Sequence, residues 1–340
     1  MASEEITSIV EKPETAPAYV LEREKASLRR SSQVELAIGL LIVIGHFAVF
    51  AYLRLYTGDF PDASGERLSW KLLFRSIFFI LGLVSAGAGL WGLYRSRHLT
   101  LDDVIPTAEA IAFLREGENV TPNYTYVLLG GLALVMLAQL AAGLNESIPI
   151  AGFAKQDFLT KGEYWRILTG ATLHAGFLHI YFNGQALYGI GQLIEQVSNR
   201  AHLSIIFLLS IIGGGFCSLI LMPTGTSVGA SGGIMGLIGY LAVFGQRRQQ
   251  QLPPGFSKSI WISIVLTGAV GIVGYQFIDN FAHLGGLLAG AAYGLIQVPS
   301  DLSSNVRATT GFTTKLLGGA ALAVFVATCL FSIALLLRAA

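Results

Sequence analysis

Charge is what this chain of 340 residues most lacks: only 13% are Asp, Glu, Lys or Arg, about half the roughly 25% of an ordinary soluble domain. That shortage excludes a nucleic-acid-binding protein, a disordered scaffold and a water-soluble globule of this length. The charges present nearly cancel, 22 Lys and Arg against 21 Asp and Glu for a net +1, so bulk balance points to no electrostatic partner. Cysteine is almost absent as well. Cys217 and Cys329 both sit in apolar runs and offer neither a disulfide framework nor a metal cluster, so no metal or cofactor is expected. Proline is confined: all ten, at 13, 17, 61, 106, 122, 149, 223, 253, 254 and 299, avoid the long apolar stretches, as helix continuity prefers. What the chain has in plenty is apolar surface, 53% of residues with a mean hydropathy of +0.61. It belongs in a lipid bilayer.

A spanning helix needs about 20 mostly apolar residues. Nine stretches qualify: 34–56, 72–94, 124–144, 170–197, 203–222, 229–245, 259–278, 280–297 and 316–337. The expected fold class is therefore all-α, a polytopic membrane helix bundle. Residues 229–245 are short and glycine-rich and 170–197 begins polar, so hydropathy marks these two least clearly. The first thirty residues hold no apolar core of signal-peptide length, and the expectation is a retained tail anchored by the first span. Placing the N-terminus inside puts 14 Lys and Arg on the cytoplasmic side against 8 elsewhere, which favours N-in, C-out in a cell (inner) membrane. Segment 95–123 reads mainly as a solvated linker, with a short amphipathic helix around 107–115. The domain division that follows is a polar tail (1–33), a two-span module with linker (34–123), a six-span core (124–297), and a linker with a last span (298–340).

Polar groups inside a membrane are costly, so each is a candidate for function. They are His46, His174, His179, Asn183, Ser231 and His283, with Arg75 and Asp279 near span ends. Arg75 can snorkel to the interface beside Lys71. His46, alone in the first span, reads as a structural hydrogen-bonder; Asp279, one turn before His283, could orient it, but reads first as an interfacial residue at a short membrane-surface turn. The others cluster. Under N-in topology the fourth, sixth and eighth spans run the same way, and Ser231 and His283 lie on the order of 5 Å below their starts at 1.5 Å per residue. His179 and Asn183 are four apart and share a helix face; His174, about 140° from His179 at 100° per residue, fits the turn entering the span. Gly229, Gly232, Gly233, Gly236 and Gly239 around Ser231 allow close backbone approach. Behind His283, Ala282, Gly286, Gly290 and Gly294 form a small-residue stripe of the kind that packs helices in lipid.

A serine at a helix N-terminus, flanked by glycines and matched in depth by a histidine, suits nucleophilic catalysis with histidine as general base. The Ser231 amide, His179 and Asn183 are the donors available to a developing oxyanion. Each motif alone is weak. Gly229 to Gly233 also matches the G-x-S-x-G elbow of soluble hydrolases, but that elbow requires a strand before it and an α/β sheet around it. His-x4-His lacks the H-E-x-x-H of a zinc site.

Taken together, HAGFLHIYFN (His174, His179, Asn183), GASG (Gly229 to Gly232) and AHLGGLLAG (His283, Gly286, Gly290) resemble the rhomboid family of intramembrane serine proteases. Tyr164-Trp165-Arg166 is similar to the Trp-Arg pair of the family's first outer loop. The similarity covers about residues 124–297 and leaves 1–123 unexplained. It implies Ser231 as nucleophile, His283 as base, His179 and Asn183 as oxyanion-side donors, and His174 as structural. Trp165 and Arg166 are implied to anchor the loop in the interface. Substrates would be single-span or polytopic membrane proteins in the bilayer. One position departs from the family: four residues after the serine, where a tyrosine stacks on the catalytic histidine in well-studied members, this chain has Met235. A thioether can still pack on imidazole. Two other classes compete, an inert rhomboid-like protein that binds membrane clients and a histidine-containing carrier or haem protein. The last would leave Ser231 and its glycines without a role.

Overall fold

The structure, a computed structural model, describes residues 16–56, 76–104, 108–299 and 310–339. The first 15 residues of the tail, the 57–71 connection, Arg75 and residues 300–309 of the last linker lie outside the described residues. The chain is all-α, with a single two-stranded ribbon among the described residues. It falls into two compact units, one within Met1–Ala108 and Ala269–Ile278, the other within Glu109–Gly268 and Asp279–Ala340.

In the first unit, α1 (Ala16–Tyr56) and α2 (Ile77–His98) lie side by side. Small residues line the contact, Gly39 of α1 against Gly82 and Ala86 of α2, and Ser85 donates a hydrogen bond to the Glu35 carbonyl at 3.0 Å. The helix extends well before residue 34 because nothing between Ala18 and Ile38 is Gly or Pro. His46 lies beside the Phe79 ring, with centroids 6.2 Å apart.

The second unit contains α3 (Ala108–Glu118), α4 (Asn123–Ala142), α5 (Phe177–Val197), α6 (Arg200–Leu221), α7 (Ser231–Arg247), α8 (Phe256–Val273) as far as Gly268, α9 (Asn280–Gln297) and α10 (Phe312–Ala339). Its core draws on several helices: Leu128, Leu132 and Val135 of α4, Leu187 and Ile194 of α5, Leu203, Ile206 and Phe207 of α6, Leu237, Tyr240 and Leu241 of α7, and Phe325, Cys329 and Leu336 of α10 are all buried. In lipid such burial does not separate oil from water; close van der Waals fit and internal hydrogen bonds hold the helices together. The fit is tightest where α7 meets α9. A Cβ on Gly290 would stand 1.8 Å from the Gly236 carbonyl oxygen, and one on Gly286 2.0 Å from that of Gly232. The stripe seen in the sequence is thus the seam between the serine-bearing and histidine-bearing helices.

By length and composition five of the described helices can cross a membrane: Tyr19–Leu55, Asn123–Ala142, Arg200–Leu221, Phe256–Val273 and Phe312–Ala339. The protein is a multi-pass membrane protein. Helices α5, α7 and α9, which carry the polar residues of interest, are shorter or more polar than these.

One expectation changes. The stretch 170–197 is not one span: Gly170–Thr172 is a 3-10 turn, Leu173–Gly176 is irregular, and the helix starts at Phe177. Gly170 and Gly176, with the polar Thr172 and His174 between them, favour a turn over a continuous helix there. The connection 145–169 that precedes it is structured. It holds helical turns at Leu144–Ala151, Lys155–Thr160 and Arg166–Thr169. Its strand Phe153–Ala154 pairs antiparallel with Thr226–Ser227, in the register Phe153↔Ser227. The ribbon ties this connection to the segment that leads into α7.

Candidate active site

Ser231 is the first residue of α7, so its amide lies at the positive end of the helix. The turn before it needs glycine: Gly229 has φ +121°, and its N–H donates to the Gly170 carbonyl at 2.9 Å. Across the seam His283, in the first turn of α9, brings its Nε2 to 2.7 Å from Ser231 Oγ. With the hydroxyl donating, Nε2 is the acceptor and the imidazole proton sits on Nδ1. Residues 52 apart in sequence are therefore in hydrogen-bond contact.

From α5, His179 and Asn183 close the other side. A Cβ on Gly229 would fall 2.7 Å from His179 Cε1, 2.8 Å from its Nε2 and 3.6 Å from Asn183 Nδ2. Any side chain at 229 would push these two residues away, so both the positive φ and the close approach call for glycine. The Ala175 amide donates to His179 Nδ1 at 3.4 Å, which leaves the proton on Nε2, the nitrogen beside Gly229. Asn183 Nδ2 is buried with no hydrogen-bond acceptor among the described residues. A buried donor left unpaired costs about 1–3 kcal/mol, which marks it as a group awaiting an acceptor. His174 lies in the turn before α5, fully buried, with its ring 5.0 Å from that of His179. Gly232 packs against the Ala282 carbonyl, and Met235, one turn beyond Ser231, is buried in the core.

Trp165 and Arg166 were expected to hold the loop at the interface. Arg166 is buried and organises the loop from within. It donates to the carbonyls of Pro149 (3.1 Å) and Gly152 (2.9 Å) and pairs with Glu163 and Asp157. Its guanidinium lies 4.6 Å from the Trp165 ring centroid, and Trp165 packs edge-on against Phe331 of α10.

Asp279 has more partners than an interfacial turn requires. It caps α9 by accepting from the Ala282 amide at 2.9 Å, and it accepts from the hydroxyls of Ser218 and Ser227. The ammonium of Lys155 stands 3.5 Å away and is fully buried. Burial alone would raise the Asp279 pKa, but the hydrogen bonds from Ser218, Ser227 and Ala282 and the Lys155 charge outweigh it and hold the carboxyl below its ordinary 3.8. A carboxylate with a depressed folded pKa stabilises the fold above its unfolded pKa, and that contribution is lost as pH falls through the folded value. The gap in thermal midpoint between the parent protein and Asp279→Asn is thus expected to be full near neutrality and to close below pH 3.8. A gap that stays constant through the acid range would contradict this.

Sequence reasoning also missed Gln139 and Glu195. Gln139 brackets the backbone of His174, accepting from its N–H (2.8 Å) and donating to its carbonyl (3.0 Å). Glu195, buried in α5, accepts from the amide and hydroxyl of Thr125, both at 2.8 Å. A polar residue within an apolar run was the available signal for each.

Comparison with known proteins agrees with this architecture. Residues 161–300 match the family described as "Rhomboid domain". The chain is 29% identical over 185 residues to "Rhomboid protease GluP" of Bacillus subtilis, covering 52% of this chain and 36% of that protein. It is 32% identical over 142 residues to "RHOMBOID-like protein 6, mitochondrial" of Arabidopsis thaliana, covering 39% and 44% respectively. To "RHOMBOID-like protein 1" of the same plant it is 33% identical over 138 residues, covering 40% and 35%. The chain thus spans less than half the length of each of these relatives.

Proposed function

We propose that this chain, which belongs to the rhomboid family through its residues 161–300, is an intramembrane serine endopeptidase working through Ser231 and His283. The single observation that carries the reading is the 2.7 Å contact between His283 Nε2 and Ser231 Oγ, at the N-terminus of α7.

The chemistry follows from the geometry. His283 Nε2 takes the hydroxyl proton as Oγ attacks the scissile carbonyl carbon, and the carbonyl oxygen becomes an oxyanion. Its donors are the Ser231 amide, His179 Nε2–H and the Asn183 amide, whose Nδ2 has no acceptor among the described residues. Collapse expels the leaving amine, which receives the proton from His283 and leaves an ester on Ser231. Water, deprotonated by the same imidazole, hydrolyses that ester and returns the proton to Oγ.

Substrates in this reading are transmembrane segments of single-span or polytopic proteins, cut near the outer face where a helix unwinds readily. The N-terminus lies in the cytoplasm, the C-terminus outside, and the membrane is the cell (inner) membrane.

The test is purified protein mixed with a single-span reporter. The parent is expected to cleave it and to be labelled by a serine-directed fluorophosphonate; Ser231→Ala is expected to do neither. Cleavage by that variant sinks the reading. Absence of both cleavage and labelling in the parent would favour the client-binding class instead.

A further inference from the structure

We propose that Asp279, paired with Lys155, is a positioning residue for this reaction: it locks the base-bearing helix to the strand that leads into the nucleophile. The inference rests on the reading above and adds a third polar group to it. The dyad and the oxyanion donors make no use of Asp279, yet one carboxylate gathers four separate parts of the chain. Oδ1 accepts from the Ala282 amide at 2.9 Å and so fixes the first turn of α9, where His283 sits. Oδ2 accepts from Ser218 near the end of α6 and from Ser227 at 2.5 Å. Lys155 Nζ faces the same oxygen at 3.5 Å. The main chain adds a fifth link, since the His283 N–H donates to the Asp279 carbonyl at 3.1 Å.

The connectivity makes a closed ring. Lys155 directly follows Phe153–Ala154, that strand pairs with Thr226–Ser227, and Ser227 returns to Asp279. Ser227 stands four residues before Ser231, and Asp279 four before His283. The nucleophile and the base are thus each one short step from the same carboxylate, and their 2.7 Å contact is set by a joint to which both segments are bonded. The charges matter as much as the hydrogen bonds. Lys155 is fully exposed to neither water nor lipid, and a buried ammonium has to have its counter-charge. Removing the negative charge leaves Lys155 unpaired and free to pull the ribbon away. Displacement of a catalytic group by about 1 Å can cost on the order of 100-fold.

The experiment compares the parent protein, Asp279→Asn, Lys155→Met and the double variant, in bilayers, with reporter cleavage and fluorophosphonate labelling of Ser231. Rates are taken below each variant's thermal midpoint and normalised to folded protein. Asp279→Asn is expected to lower kcat by about tenfold or more with KM within about twofold, and to slow labelling by the same factor. Labelling does not depend on substrate docking, so a merely structural defect would not reproduce this pattern in folded protein. The double variant has no unpaired charge to disturb its folding, and its loss is expected to be smaller than the product of the two single losses. A smaller fall in kcat, a loss confined to KM, or multiplicative single effects would each overturn the proposal while the Ser231–His283 reading stands. A parent protein that neither cleaves nor labels would overturn both.

Discussion

Replacing His283 with alanine is expected to lower kcat for reporter cleavage by about 10³-fold, within the 10²–10⁴ range of a positioned general base. The imidazole is the acceptor within 2.7 Å of Ser231 Oγ, and a serine hydroxyl is a poor nucleophile without one. The nearby His179 cannot substitute: it lies on the Gly229 side of the turn, and its Nδ1 accepts from Ala175. The thermal midpoint is expected to move little, because His283 has a partly buried polar contact rather than a place in the apolar core. Stopped reporter cleavage with unchanged unfolding is the signature to look for. Cleavage within tenfold of the parent would remove His283 from the chemistry.

Gly290→Leu is expected to have the largest effect on the fold itself. The three nearest atoms a Cβ would meet are backbone of Gly236, the carbonyl oxygen at 1.8 Å, the carbonyl carbon at 2.4 Å and Cα at 2.6 Å. No side chain can swing aside to make room, so α7 and α9 have to separate. A destabilisation beyond about 4 kcal/mol is expected, a size seen only when packing is broken outright. Labelling of Ser231 should disappear along with the folded state. Gly130→Ala, whose Cβ would meet nothing within 4 Å, serves as the neutral comparison. If both variants melt with the parent, the seam is not as close as described.

The apolar runs and the few polar exceptions to them made most of this legible from sequence. Ser231, His283, His179 and Asn183 stood out because each is polar within a run that is otherwise lipid-like, and the glycine stripe behind His283 announced a tight helix contact. The helix start at Phe177 was hidden because the polar start of 170–197 weakens the span signal without saying where the turn ends and the helix begins. Asp279 was misjudged for a different reason. Its hydroxyl partners Ser227 and Ser218 are 52 and 61 residues away, and each taken singly looks like an ordinary residue at a membrane surface. The Thr125–Glu195 contact spans 70 residues and the Gln139–His174 bracket spans 35. Periodicity and composition report on neighbours along the chain, and such pairings are set only when helices assemble.

The position of α10 has a consequence for biosynthesis. Its Ser332 hydrogen-bonds Thr172 at 2.9 Å, its Phe331 receives Trp165, and its Cys329 and Phe325 fill the groove beside Gly131. These residues leave the ribosome after every other helix described, yet their partners lie in α4 and in the turn before α5. The earliest helices of the second unit therefore wait, incompletely packed, for the latest one. Bonds bridging 160 residues close slowly compared with local ones. During that interval the nascent chain already carries Ser231 and His283 in the membrane, while the turn that bears on His179 lacks its last support.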